Sequence, residues 1–123
     1  MIHLDTHIAA RLADGDRKLR KLQSRLERET VCLSPFAILE LQALIELGRL
    51  AGPLRPRLEV LHRNFGVQVA TEPLVEIVNA SLALSWTRDP FDRLLVAHAI
   101  AADALLLTFD AHIQAHFARA IVE

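Results

Sequence analysis

Two consecutive segments near the end of the chain leave few architectures open. From Pro90 to about Ala102 the residues beyond the first turn are apolar on every side of a helix. The run Ala104-Leu105-Leu106-Leu107-Thr108-Phe109-Asp110 that follows is apolar on both faces of a strand. A helix without a polar face must be covered on several sides, and a strand buried on both faces sits inside a parallel sheet with helices above and below. The apolar window Leu94 to Phe109 is broken by His98 and Asp103 and is too short to span a bilayer. The pair therefore predicts a layered α/β fold and no membrane segment.

The rest of the chain repeats that alternation. Ile2 to Asp5 reads as a strand running straight into a helix over 7–13, with Asp14-Gly15-Asp16 as a turn. Residues 17–28 read as a basic helix with an apolar stripe of Leu19, Leu22 and Leu26, and Thr30 to Leu33 as a second strand. Ser34-Pro35 opens a helix to about Leu47, stopped by Gly48. A helix over 57–64, a strand from Gly66 to Ala70 and a helix from Glu72-Pro73 to about Trp86 follow. After the strand at 104–110 come a short helix over 111–118 and an edge strand at 120–122. This order predicts a three-layer α/β sandwich around a mainly parallel sheet of four to five strands, in one domain over 1–123.

Bulk properties exclude more than they identify. A net charge of −1 names no partner, although Arg and Lys crowd residues 17–28. The hydrophobic content of 52% is that of a well-filled core, which excludes a disordered chain. Cys32 is the only cysteine, so internal disulfides and multi-cysteine metal sites are excluded and a reducing cytosol fits. With no secretory leader in Met1 to Ala10, the expected location is cytoplasmic.

Four acids then stand out. Asp5 and Asp110 end strands, where ligands bind in open α/β sheets. Asp92 lies in the first turn of the helix that Asp89-Pro90 opens, and both acids there also suit the helix dipole. Glu40 falls among Phe36, Ala43, Leu44 and Leu47 on the apolar side of its helix, where a charge needs either an ion-pair partner or a metal. A parallel sheet would gather all four at one edge, yet two carboxylates about 5 Å apart repel by roughly 3 kcal/mol at an effective dielectric of 20. A hard divalent cation removes that penalty. All-oxygen donors point to Mg²⁺, with Mn²⁺ as the substitute, and such a site suits in-line phosphoryl displacement by water.

Leu4-Asp5-Thr6-His7, Leu33-Ser34-Pro35 with Leu39-Glu40-Leu41, Arg88-Asp89-Pro90-Phe91-Asp92-Arg93-Leu94-Leu95-Val96-Ala97-His98-Ala99, and Leu107-Thr108-Phe109-Asp110 follow in order. Together they resemble the PIN-domain ribonucleases, above all the VapC-type toxin branch, over essentially the whole chain. The resemblance implies a Rossmann-like PIN fold and a Mg²⁺- or Mn²⁺-dependent endoribonuclease whose acidic set is Asp5, Glu40, Asp92 and Asp110. It makes Asp89 a cap or outer-shell acid, and places Thr6 and Ser34 beside the pocket as hydroxyls that orient ligands or water. It implies an RNA substrate, a homodimer, and a small antitoxin as partner. Phe109 departs from the basic or polar residue usual before the last acid. The RNA backbone is expected on Arg93 and on Arg17, Lys18 and Lys21.

Other readings weaken on missing parts. A receiver domain wants adjacent acids after its first strand and a lysine near the end, and the only lysines are Lys18 and Lys21. A haloacid-dehalogenase-type phosphatase wants Asp-x-Asp where Asp5-Thr6-His7 stands. A zinc site at His112 and His116 lacks a third ligand nearby. A catalytically silent binding module of the same fold is opposed by the intact acidic set.

Overall fold

Alternation along the strands divides the interior in two. Ile2, Leu4, Val31, Leu33 and Leu107 join one apolar cluster, whereas Leu106, one residue out of phase, joins another with Val96, Ala99 and Ile113. His3 and Cys32 are register partners on that second face. The structure, a computed structural model, describes residues 1–122. Its strands are β1 (Ile2–Leu4), β2 (Val31–Leu33), β3 (Gln68–Val69), β4 (Leu105–Leu107) and β5 (Ala120–Ile121). They form one all-parallel sheet in the order β3-β2-β1-β4-β5. The expected α/β sandwich is therefore present, with β1 and β4 adjacent at its centre.

The helices are α1 (Thr6–Ala13), α2 (Gln23–Glu27), α3 (Pro35–Glu46), α4 (Leu54–Phe65), α5 (Leu74–Ser81), α6 (Pro90–Ala101) and α7 (Ala111–His116). Leu12, Leu26 and Leu61 carry α1, α2 and α4 into the first cluster, and Ile113 carries α7 into the second. α6 serves both, since Leu95 belongs to the first cluster and Val96 and Ala99 to the second. This is why it needed no polar face. Among the described residues no helix is long and apolar enough to cross a membrane.

Several boundaries differ from the sequence reading: β3, β4 and α7 are shorter than expected, with β4 ending at Leu107 rather than Asp110, and three further differences have a local cause. Residues 17–28 are not one helix but a 3₁₀ segment, Arg17–Leu22, followed by α2. At three residues per turn Leu19 and Leu22 eclipse on one buried face, and the crowded cations make a regular α-helix costly through like-charge pairs three and four apart. The helix expected to reach Trp86 stops at Ser81, whose hydroxyl donates to the Val78 carbonyl at 2.6 Å. α4 starts three residues earlier than expected, because Pro56 falls in its first turn, where no backbone N–H is missed. Leu47, placed by spacing on the buried side of α3, is 66% exposed just beyond the helix end.

Candidate active site

The strand order reverses direction of growth between β1 and β4, and in open parallel sheets the crevice beyond the strand ends at such a switch point is where ligands bind. Asp5 leaves β1 at that point. Its backbone N–H donates to the Leu107 carbonyl at 2.9 Å, which ties the ends of the two strands together. Its side chain caps α1: Oδ1 accepts from the Thr6 N–H at 2.8 Å and Oδ2 from the Thr108 hydroxyl at 2.6 Å. Thr108, just past β4 and fully buried, also accepts from the Asp110 N–H at 3.0 Å. One hydroxyl thus joins the acids at the two strand ends. The sequence reading did not single out Thr108; its signal is a hydroxyl residue two positions before a strand-ending acid.

Asp89 and Asp110 are caps as well. Asp89 Oδ1 accepts from the Phe91 and Asp92 N–H groups at 2.9 and 3.1 Å, opening α6. Asp110 Oδ1 accepts from the His112 and Ile113 N–H groups at 2.8 and 3.1 Å, opening α7. In both, Oδ2 stays outside the cap. Glu40 projects from α3 and Asp92 from the first turn of α6, each half-buried. These five carboxylates line one cleft of about 380 Å³, with His7 and Arg49, also missed by the sequence reading, on its walls.

The cleft is uncomfortable for negative charge. Burial, and then the charges of Asp89, Asp110, Asp5 and Glu40, push the Asp92 carboxyl up to about 7. Burial raises Asp5 too, against the Thr108 and Thr6 hydrogen bonds, and raises Glu40 with help from Asp5 and Asp89. The Thr6 hydroxyl is buried without a hydrogen-bond partner at normal distance, and it lies close enough to Glu40 to offset part of that rise. Among the described residues none of the five carboxylates is in an ion pair.

Other expected site residues lie elsewhere. Ser34 caps α3 and turns its hydroxyl to His98 Nδ1 at 2.7 Å, while His98 Nε2 meets Glu72 Oε1 at 2.9 Å, all outside the acidic cleft. Arg93 is spent on backbone carbonyls: Nε donates to Ser81 at 2.8 Å, Nη2 to Leu82 at 3.3 Å and Nη1 to Thr87 at 3.4 Å. Its guanidinium closes the end of α5 rather than facing the cleft. Arg17, Lys18 and Lys21 line a separate groove that also holds Phe109. His112 and His116 pack on Trp86, with the His116 ring stacked 4.9 Å from it.

Oxygen donors alone, crowded and unpaired, match a hard divalent cation. Among the described residues no three His, Cys, Asp or Glu side chains are drawn together as a finished ligand set. Mg²⁺ keeps several waters and is commonly held through only one or two carboxylates. The donor set fits the ion, while the spacing is that of a cleft and not of a cage.

Fold and cleft together define a parallel α/β domain with a carboxylate-lined crevice at its switch point. The chain belongs to the PIN domain family, whose profile matches residues 2–120. Its fold is similar to a chain in the crystal structure of VapBC2 from Rickettsia felis bound to a DNA fragment from their promoter. The TM-score is 0.72 at 19% identity, covering 100% of this chain and 98% of that one. No curated protein matches the chain.

Proposed function

We propose that this PIN domain is a metal-dependent endoribonuclease, the toxin of a VapC-type toxin–antitoxin pair, acting in the cytoplasm. One observation carries the reading: five carboxylates share a cleft at the sheet's switch point and none has a cationic partner among the described residues. Asp5, Glu40, Asp92 and Asp110 would hold Mg²⁺, or Mn²⁺ in its place, with Asp89 supporting from the outer edge. The ion supplies charge neutralisation of the scissile phosphate and a water of lowered pKa.

The chain's own groups do the positioning. Thr108 fixes Asp5 and Asp110 relative to one another, so that the oxygens at the ends of β1 and β4 keep one spacing. The N-termini of α1, α6 and α7 converge on the cleft and soften the repulsion between their caps. Asp92 is where added negative charge is least tolerated and where a cation is most needed. Hydrolysis would add water across the P–O bond, leaving a 5′-phosphate on one product and a 3′-hydroxyl on the other.

The solved VapBC2 complex supports a small antitoxin as partner, and the apolar residues Leu74, Val75 and Leu82 exposed around α5 support a homodimer. The deciding experiment is cleavage of labelled RNA with Mg²⁺ and with chelator, using Asp5→Asn and Asp92→Asn as controls. Cleavage that needs the metal and is lost in both variants is expected. Cleavage that survives chelation, or survives both substitutions, refutes the reading.

A further inference from the structure

The acidic cleft repels the phosphates it is proposed to cleave, so a substrate strand must be held by something beside it. Next to the cleft lies a groove of about 520 Å³ lined by Arg17, Lys18, Lys21, Leu22 and Phe109. Phe109 precedes Asp110 directly, so consecutive residues line the groove and the cleft, with a Cα separation of about 3.8 Å. Phe109, two residues beyond β4, is 38% exposed, and the Arg11 guanidinium carbon lies 5.2 Å from its ring centroid. An aromatic ring backed by a cation, inside a groove with basic walls, is the arrangement that single-stranded nucleic acid uses: phosphates on Arg and Lys, a base on the π face.

We infer that Phe109 is a stacking platform for an unpaired base of the RNA, and that the groove of Arg17 and Lys18 carries the flanking phosphates toward the acidic cleft. The inference rests on the nuclease reading for its substrate and adds to it the residue that contacts a base. In a duplex every base is already stacked on its neighbours, and the side-chain ring has none to take. Lys18 is set by the turn that starts the 3₁₀ segment, where its N–H donates to Asp16 Oδ1 at 2.9 Å. The departure from one regular helix over 17–28 thus places the cations along the groove. Stacking tolerates any base, so Phe109 would select for unpaired RNA and not for sequence.

Binding is measured without cleavage, in chelator, by fluorescence anisotropy of the full chain with a labelled uridine oligonucleotide of about a dozen nucleotides and with a matched RNA duplex. Phe109→Ala and Phe109→Leu are expected to weaken single-strand binding by about 5- to 150-fold, the range for loss of one stacked base. Phe109→Trp keeps it, and the leucine variant retains an apolar side chain, so loss of folding does not imitate loss of stacking. The double variant Arg17→Gln with Lys18→Gln should reduce the salt slope by about 1.4, two contacts at roughly 0.7 each for a single strand. Equal binding of duplex and single strand, or leucine and alanine variants that bind like the wild type, overturns the inference. Unchanged RNA affinity in Phe109→Ala with lost antitoxin binding overturns it too, assigning the groove to the protein partner. Mg²⁺-dependent cleavage that persists in those cases leaves the nuclease reading standing, and its absence with intact stacking removes only that reading.

Discussion

Replacing Asp92 with asparagine should make the metal-free protein more stable at neutral pH, although it removes a charge from the favourable end of α6. The Asp92 carboxyl moves from 3.8 to about 7 on folding, first through burial and then through the four neighbouring acids. A shift of roughly 3 units corresponds to roughly 4 kcal/mol at 1.36 kcal/mol per unit, and the open, hydrated cleft reduces this to about 2 kcal/mol. Losing the dipole interaction returns about 0.5 kcal/mol. The folded state keeps a proton that the unfolded chain releases, so the penalty is absent below about pH 4, grows as pH rises, and is complete above about pH 7. Asp92→Asn should therefore melt about 6 °C above the wild type near pH 8 in chelator, taking about 4 °C per kcal/mol for a chain of this size. Near pH 4 the two should differ little. Adding Mg²⁺ at neutral pH should raise the wild type and narrow the gap, since only it retains the full acidic set. Thermal unfolding by circular dichroism across that range checks the chain of reasoning. A variant no more stable than the wild type near pH 8, with the same pH slope, would refute it.

Thr108→Val removes the donor to Asp5 Oδ2 and the acceptor of the Asp110 N–H, at a cost of about 1–3 kcal/mol in urea unfolding. Because the Thr108 bond holds the Asp5 carboxyl down, its titration followed by carboxyl carbon NMR should move further up; an unmoved titration counts against the link. Arg93→Ala frees three backbone carbonyls around the end of α5 and should lower stability by about 2–3 kcal/mol. Intact stability with a reduced salt slope for RNA binding would instead put Arg93 on the substrate. His98→Phe leaves the buried Ser34 hydroxyl without its 2.7 Å partner and should destabilise by about 2 kcal/mol, read as a lower urea midpoint.

The fold was legible wherever burial was complete. β4 and α6 show no polar face because each touches apolar side chains on two sides, and that pattern alone put a parallel sheet between helix layers. Where burial is partial the pattern misled. Leu47 reads as part of the apolar side of α3 yet is 66% exposed, and Leu22 reads equally well in an α-helix or in the 3₁₀ segment that forms. The Ser34–His98–Glu72 chain was invisible because its members are 64 and 26 residues apart and no local rule links them. The Arg93 contacts share that difficulty: a guanidinium beside two aspartates reads as part of their site, and only the turn after α5 shows which oxygens it meets.

For the acids, capping and metal binding read as rival explanations in the sequence, and the cap geometry leaves room for both. A cap fixes a carboxylate by directing one oxygen at the first backbone N–H groups of a helix. In Asp89 and Asp110 both cap bonds fall on Oδ1, so the rotamer is set and Oδ2 is carried outside the helix end. In Asp5 the backbone takes one oxygen and the Thr108 hydroxyl the other, so that carboxylate is held from two elements at once. Because every strand is parallel, the helices that follow β1 and β4 start on the same side of the sheet, and α6 opens there as well. A chain that caps its helices with aspartate in this topology therefore concentrates negative charge at one edge as a consequence of folding correctly. Capping explains why each aspartate is where it is, but Glu40 and Asp92 cap nothing and still lie in the cleft at the cost of a raised pKa. Those two acids, and not the caps, separate a site from a set of well-made helix ends.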